Sequence, residues 1–297
     1  MSPLTPAMLL REGAMEVVGP GEALFDFCLW NYPSRAPATG KLRSVNQLMN
    51  SFAAGGMGAK AVEVVTAIRD AFGASRTVWG VKQEGGRINW ELYFYDYDRL
   101  QRERSVTRLL EAVRPWIACD VEVGEQYPYF MFSIDLDADL VEGRKPLEEV
   151  QMYIGNIGSS VSSGICYAVS RHARRLKNFY FFFDAKREAQ QIEDKVLSSA
   201  YIGDEAFDVA RVLWPELRDC QTIVVSNKPD RDGVYFSRID VVQLLVFLKR
   251  LAYPEQHIRF VEQNRGRLDH LLYDVGYDYR LEGGELKILK SAYYGVF

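Results

Sequence analysis

Side chains able to do chemistry are unevenly distributed along this chain of 297 residues, and their placement removes several reaction types at once. The three histidines, His172, His257 and His270, lack metal-ligand spacing such as H-E-x-x-H, so neither a zinc site nor histidine-driven acid–base chemistry is expected. Four cysteines (Cys28, Cys119, Cys166, Cys220) are scattered without a C-x-x-C pair, which predicts free thiols. Tyrosine is the plentiful reactive type. Tyr93, Tyr95, Tyr129, Tyr153, Tyr180, Tyr235 and Tyr293 fall at alternate positions of predicted strands, and Glu91, Asp135 and Glu149 share their face. A tyrosine ring shields a cation, and its hydroxyl hydrogen-bonds phosphate oxygens. One tyrosine in a strand is ordinary, whereas seven on one face are harder to dismiss.

The elements that must position these residues follow a repeated grammar. From Gly164 to Ala200 the pattern reads as two strands, joined by a basic turn at His172–Lys177 and followed by an amphipathic helix. The same ββα order returns at 76–115 and 221–252 and, without its helix, at 268–297. In the first unit Thr77–Gln83 and Ile88–Tyr97 flank the turn Glu84-Gly85-Gly86-Arg87, and a helix is predicted over Arg99–Val113. Ile88, Trp90, Leu92 and Phe94 make one strand face oily, while Asn89, Glu91, Tyr93 and Tyr95 make the other polar and aromatic. Tyr129–Leu136 and Glu149–Ile154 repeat that asymmetry, the second placing Gln151 and Tyr153 on the polar side. In the central hairpin Arg174, Asn178 and Tyr180 share parity. Helices are expected at Ser44–Ala54, Met57–Phe72, Ala185–Ser199, Asp204–Leu213, Val241–Leu251 and Pro254–Val261. The first 45 residues read as an irregular lead-in broken by Pro20, Pro33 and Pro37, with a short helix at Glu22–Leu29.

About ten hairpin-paired strands with helices after each pair predict an α+β fold, a ten-stranded antiparallel β-barrel built from ββα units inside an outer ring of helices. Closure removes the sheet edges and encloses the polar aromatic face. The whole chain, 1–297, is expected to be one domain, with 46–297 forming the barrel and its helices. A formal net charge of -4 and 48% apolar content suit a globular protein and argue against nucleic-acid binding, so the basic clusters at 171–177 and 265–267 are taken as solvated turns. No apolar run is long enough to span a membrane, and the N-terminus has no basic start or long apolar core, so a cytoplasmic location is expected.

The unit order, together with CYAVSRHARRLKNFYFFFDA and LKILKSAYYGVF, resembles the aromatic prenyltransferases of the ABBA or PT-barrel fold, with specific wording in Asn178–Phe181 and Ala292–Tyr294. The resemblance covers roughly 75–297. It implies transfer of a prenyl group from a prenyl diphosphate to an indole- or phenol-type acceptor, a small molecule or a peptide, inside the lumen. It places Arg174 on the diphosphate, with Lys228, Arg238, Lys287, Lys290 and Tyr235 as further candidates. Tyr180 and Tyr293 would line the chamber beside the reaction, and Glu91 would take the proton lost on re-aromatisation. Tyr93, Tyr95, Tyr129, Gln151, Tyr153 and Asn178 complete the expected lining. No D-D-x-x-D motif occurs, so no cofactor is required on this reading and magnesium is allowed but not essential. Two alternatives stay open: a non-catalytic barrel binding a hydrophobic small molecule or peptide, and a peptide-modifying prenyltransferase.

Overall fold

The computed structural model describes residues 3–96, 101–155, 162–202 and 207–297. Its strands are β1 (Val78–Glu84), β2 (Arg87–Tyr95), β3 (Met131–Leu136), β4 (Glu149–Gly155), β5 (Ser163–Ser170), β6 (Arg174–Asp184), β7 (Thr222–Asn227), β8 (Asp232–Ile239), β9 (Tyr273–Glu282) and β10 (Glu285–Val296). Each pairs antiparallel with its sequence neighbours, and β1 pairs with β10, so the sheet closes. The expected ten-stranded barrel with outer helices is the fold of this chain. Among the described residues no helix is long and apolar enough to cross a membrane.

Closure gives every strand an outward and an inward face, and the two bury different chemistry. Outward-facing Trp79, Val81, Trp90, Leu92, Phe94, Phe132 and Ile134 join the helices in one continuous core. Phe94 stacks on Phe132 at 4.9 Å, while Trp90 meets Phe52 edge-on at 4.9 Å and donates Nε1–H to Ser51 Oγ at 2.8 Å. The helix Ala59–Phe72 forms because Ala61, Val64, Val65, Ile68 and Phe72 recur on one buried face, and Gly73 at φ +91 ends it. Asp240 and Gln243 start the helix Val241–Arg250 with a reciprocal capping box.

Expected elements differ from observed ones where side chains compete with the backbone. Glu22–Leu29 is a loop rather than a helix, because the Asp26 carboxylate accepts N–H groups from Cys28 at 3.0 Å and Trp30 at 3.1 Å. The helix expected at Arg99–Val113 is described from Val106, where the Ser105 side chain caps it; residues 97–100 lie outside the described residues. Of Asp204–Leu213, 204–206 lie outside them and the remainder forms a short 3₁₀ turn at Val209–Arg211.

One buried histidine ties the outer layers together. His257 Nδ1 lies 2.8 Å from Asn50 Oδ1 and Nε2 lies 2.5 Å from Tyr293 Oη, and burial pushes its pKa down to about 3. The folded state therefore resists protonation that the unfolded chain accepts below about pH 6.5, and stability is lost as pH falls through that window. Between pH 6.5 and 4.5 the loss from this one group is roughly 2–3 kcal/mol. Thermal unfolding should show His257→Gln losing less stability than the parent over that range; parallel pH curves would contradict the assignment.

Candidate active site

The inward face changes character from one mouth of the barrel to the other. Along β1 it reads Val78, Gly80, Lys82; along β2, Tyr95, Tyr93, Glu91; along β3, Met131, Ser133, Asp135; along β10, Val296, Tyr294, Ala292, Lys290. Each strand passes from an apolar or aromatic residue to a charged one, and the charges lie toward the β1–β2 and β9–β10 turns.

At the charged end Glu91 sits between two ammonium groups, Lys82 at 2.9 Å and Lys290 at 3.2 Å. Lys82 also pairs with Asp135, whose side chain is 53% exposed at the rim. Lys228 lies 2.5 Å from Asp278 and Arg231 lies 3.6 Å from it, so this cluster sets Lys82, Lys290, Lys228 and Arg231 beside Glu91, Asp135 and Asp278. Burial opposes the ionised form of Glu91, but Lys290 and Lys82 outweigh it and hold the carboxyl well below its usual range. Burial likewise works against the Lys290 charge, yet Glu91 and Asp278 more than offset it and raise that pKa. Lys228 goes the other way: burial lowers its pKa, and Asp278 compensates only in part.

A belt of tyrosines follows. Tyr294, Tyr93, Tyr153, Tyr180 and Tyr235 succeed one another around the wall, with ring centroids 5.7, 6.0, 6.1 and 6.2 Å apart. Burial raises the pKa of every one of these phenols, so all remain protonated donors. Tyr93 donates to Glu91 at 2.6 Å, Lys228 donates to Tyr235 at 3.2 Å, and Asn178 donates to Tyr180 at 2.6 Å. Ser133 Oγ lies 3.2 Å from Gln151 Oε1 and 3.3 Å from Tyr153 Oη. Two rings lie close against glycine backbone: a Cβ at Gly80 would stand 2.7 Å from Tyr294, and one at Gly276 would stand 2.1 Å from Tyr235.

A lysine-bearing end leading into a belt of protonated phenols sets cations suited to an anionic head beside rings suited to a hydrophobic or cationic body. No protein-family model and no curated protein matches the chain. Solved structures are similar in shape to this chain. One of them is 6-dimethylallyltryptophan synthase from Micromonospora olivasterospora in complex with DMASPP and Trp, with a TM-score of 0.48, 11% identity, and coverage of 86% of this chain and 97% of that one. The likeness carries no residue role to this chain.

Several expected site residues stand elsewhere. Tyr293 faces outward onto His257 and Trp79, and its neighbour Tyr294 takes the inward position, because a bulge between Ile288 and Lys290 reverses the parity of β10. Below that bulge Lys287 is exposed and paired with Glu285. Tyr129 precedes β3 and packs outward on Phe132 and Arg102, so it is not lumen lining. Arg174 is exposed beside the outward-facing Val169 register position, with its guanidinium 4.5 Å from the Tyr127 ring; it does not join the lysines. Arg238 occupies an irregular stretch of β8 at φ +60 and gives its guanidinium to Asp26 at 2.5 Å.

Glu91, Lys228, Lys290, Tyr93, Tyr95, Tyr153, Tyr180, Tyr235, Gln151 and Asn178 do share the lumen. Lys82, Arg231, Asp278 and Tyr294 went unread as site residues in the sequence. Lys82 has the alternation that betrays it, two places from Gly80 and opposite Asn89.

Proposed function

We propose that the chain is a prenyltransferase that binds a prenyl diphosphate in its lumen and alkylates an aromatic ring. The observation that carries this reading is the polarity gradient, with Lys82, Lys228, Lys290 and Arg231 at one end and five adjoining tyrosine rings beyond them. The lysines would hold the diphosphate as its C–O bond breaks, and the leaving pyrophosphate would keep that electron pair. The belt would shield the allyl cation from water while the acceptor ring supplies the electrons of the new C–C bond. Glu91 is then the acceptor of the displaced ring proton. Its base strength is tied to the substrate, because an anion that draws Lys290 away removes the main influence keeping the carboxyl ionised. No metal is needed for these roles, and magnesium would add positive charge where each of the three lysines is already paired with a carboxylate.

A non-catalytic binding barrel is the second reading, favoured by the pairing of each lumen lysine with a carboxylate. Calorimetry with pyrophosphate and with dimethylallyl, geranyl and farnesyl diphosphates separates the two, run with and without magnesium. Saturable micromolar binding is expected, weakened at least tenfold by Lys228→Met and unchanged by Arg174→Ala. Absence of binding to all four would favour the non-catalytic barrel.

A further inference from the structure

The segment Phe25–Asn31 closes the aromatic mouth of the barrel with a side chain of the protein itself. Phe25 and Asn31 form an antiparallel bridge, Asp26 N–H donates to the Trp30 carbonyl at 2.9 Å, and Leu29 N–H donates to the Asp26 carbonyl at 2.8 Å. The loop thus presents Phe27 to the inner cluster. Its ring lies 5.1 Å from Tyr294, 5.8 Å from Tyr93 and 6.0 Å from Tyr95, with interplanar angles of 65°, 64° and 86°. That edge-on arrangement in a cage of rings is how a protein holds an aromatic guest.

Barrel closure does not require this guest. Every ladder from β1 to β10 is complete without the loop, and the outer core is a separate cluster that excludes Phe27. The loop is fastened to the wall at Asp26, whose Oδ2 accepts Arg238 Nε–H at 2.7 Å and Nη2–H at 2.5 Å. Both sides of that fastening are held in the left-handed region, Leu29 at φ +59 and Arg238 at φ +60, where a residue with a Cβ is strained. Arg238 is 27% exposed, so the fastening is within reach of solvent. A void of about 30 Å³, lined in part by Leu24, Phe25, Val296 and Phe297, lies beside the base of the loop.

We infer that Phe27 is an intramolecular occupant of a ring-binding site, and that opening the Asp26–Arg238 pair hands the Tyr93–Tyr95–Tyr294 cage to an external planar aromatic ligand. The inference deepens the preceding reading by naming what keeps an acceptor out, and it rests on that reading only in taking the ligand to be the acceptor. Strain at Leu29 and Arg238 favours release, while the ion pair and the ring contacts favour closure.

The test uses the full chain and 5-fluoroindole, followed by fluorine NMR titration. Asp26→Asn keeps an oxygen for the Cys28 and Trp30 amides and sets an NH₂ group against the guanidinium, so the fastening opens. Binding at least tenfold tighter than the parent's is expected, with faster amide exchange over 25–31 and unchanged protection in β1, β2 and β10. Phe27→Ala leaves the ion pair intact and should also bind at least tenfold tighter, at a site lost when Tyr294→Ala is added. Either variant binding like the parent, with its strands protected, overturns the inference. Pyrophosphate binding on the same samples keeps the two ideas apart: its absence counts against prenyl transfer, whereas the loop's role stands or falls on fluoroindole alone.

Discussion

Removing both ammonium groups beside Glu91, in Lys82→Met/Lys290→Met, is expected to destabilise the protein by about 3–5 kcal/mol, the cost of stranding a buried charge. Glu91 has a 10% exposed side chain enclosed by the barrel wall, and its two cations stand at 2.9 and 3.2 Å. Adding Glu91→Gln should recover most of the loss, since a neutral amide does not demand a counter-charge. Urea unfolding of the parent, the double and the triple variant measures this directly. A double variant within about 1 kcal/mol of the parent would mean that water solvates Glu91 and that the lysines are not its partners in solution.

Glu91→Gln alone should move two readouts in opposite directions. Turnover of a prenyl diphosphate with an aromatic acceptor is expected to fall by about 10²–10⁴, the usual scale for losing a positioned proton acceptor. Pyrophosphate should bind more tightly, because Lys290 is released from its carboxylate and Lys82 keeps only the rim residue Asp135. A merely structural role would weaken both together. Retained turnover would assign the proton to water or to pyrophosphate itself.

Hairpins and outward faces were legible because their signal is local. Trp90, Leu92 and Phe94 alternate with Glu91, Tyr93 and Tyr95, so period and burial agree residue by residue. The candidate site was legible only as far as that parity held. At β10 one extra residue near Leu289 exchanged Tyr293 for Tyr294, and no residue type announces such a bulge. Tyr129 failed for a related reason: the alternating pattern extends two residues beyond the N-terminal end of β3. Arg174 shares numerical parity with Asn178, but the β5–β6 bulge between them sends it to the outside. The N-terminal loop has no periodicity at all. Its placement depends on Asp26 meeting Arg238 across 212 residues, and long-range pairing of that kind leaves no trace in local sequence.

The glycines beneath Tyr294 and Tyr235 have a consequence for the calibre of the chamber. Gly80 and Gly276 thin the wall where a ring lies against it, so the bore there is set by the absence of a methyl group and not by the lining side chain. An alanine at 276 would set its Cβ 2.1 Å from the Tyr235 ring and force that ring to shift, although Tyr235 itself kept its identity. Bore and chemistry can therefore be varied separately in this barrel, one through the backbone and the other through the rings.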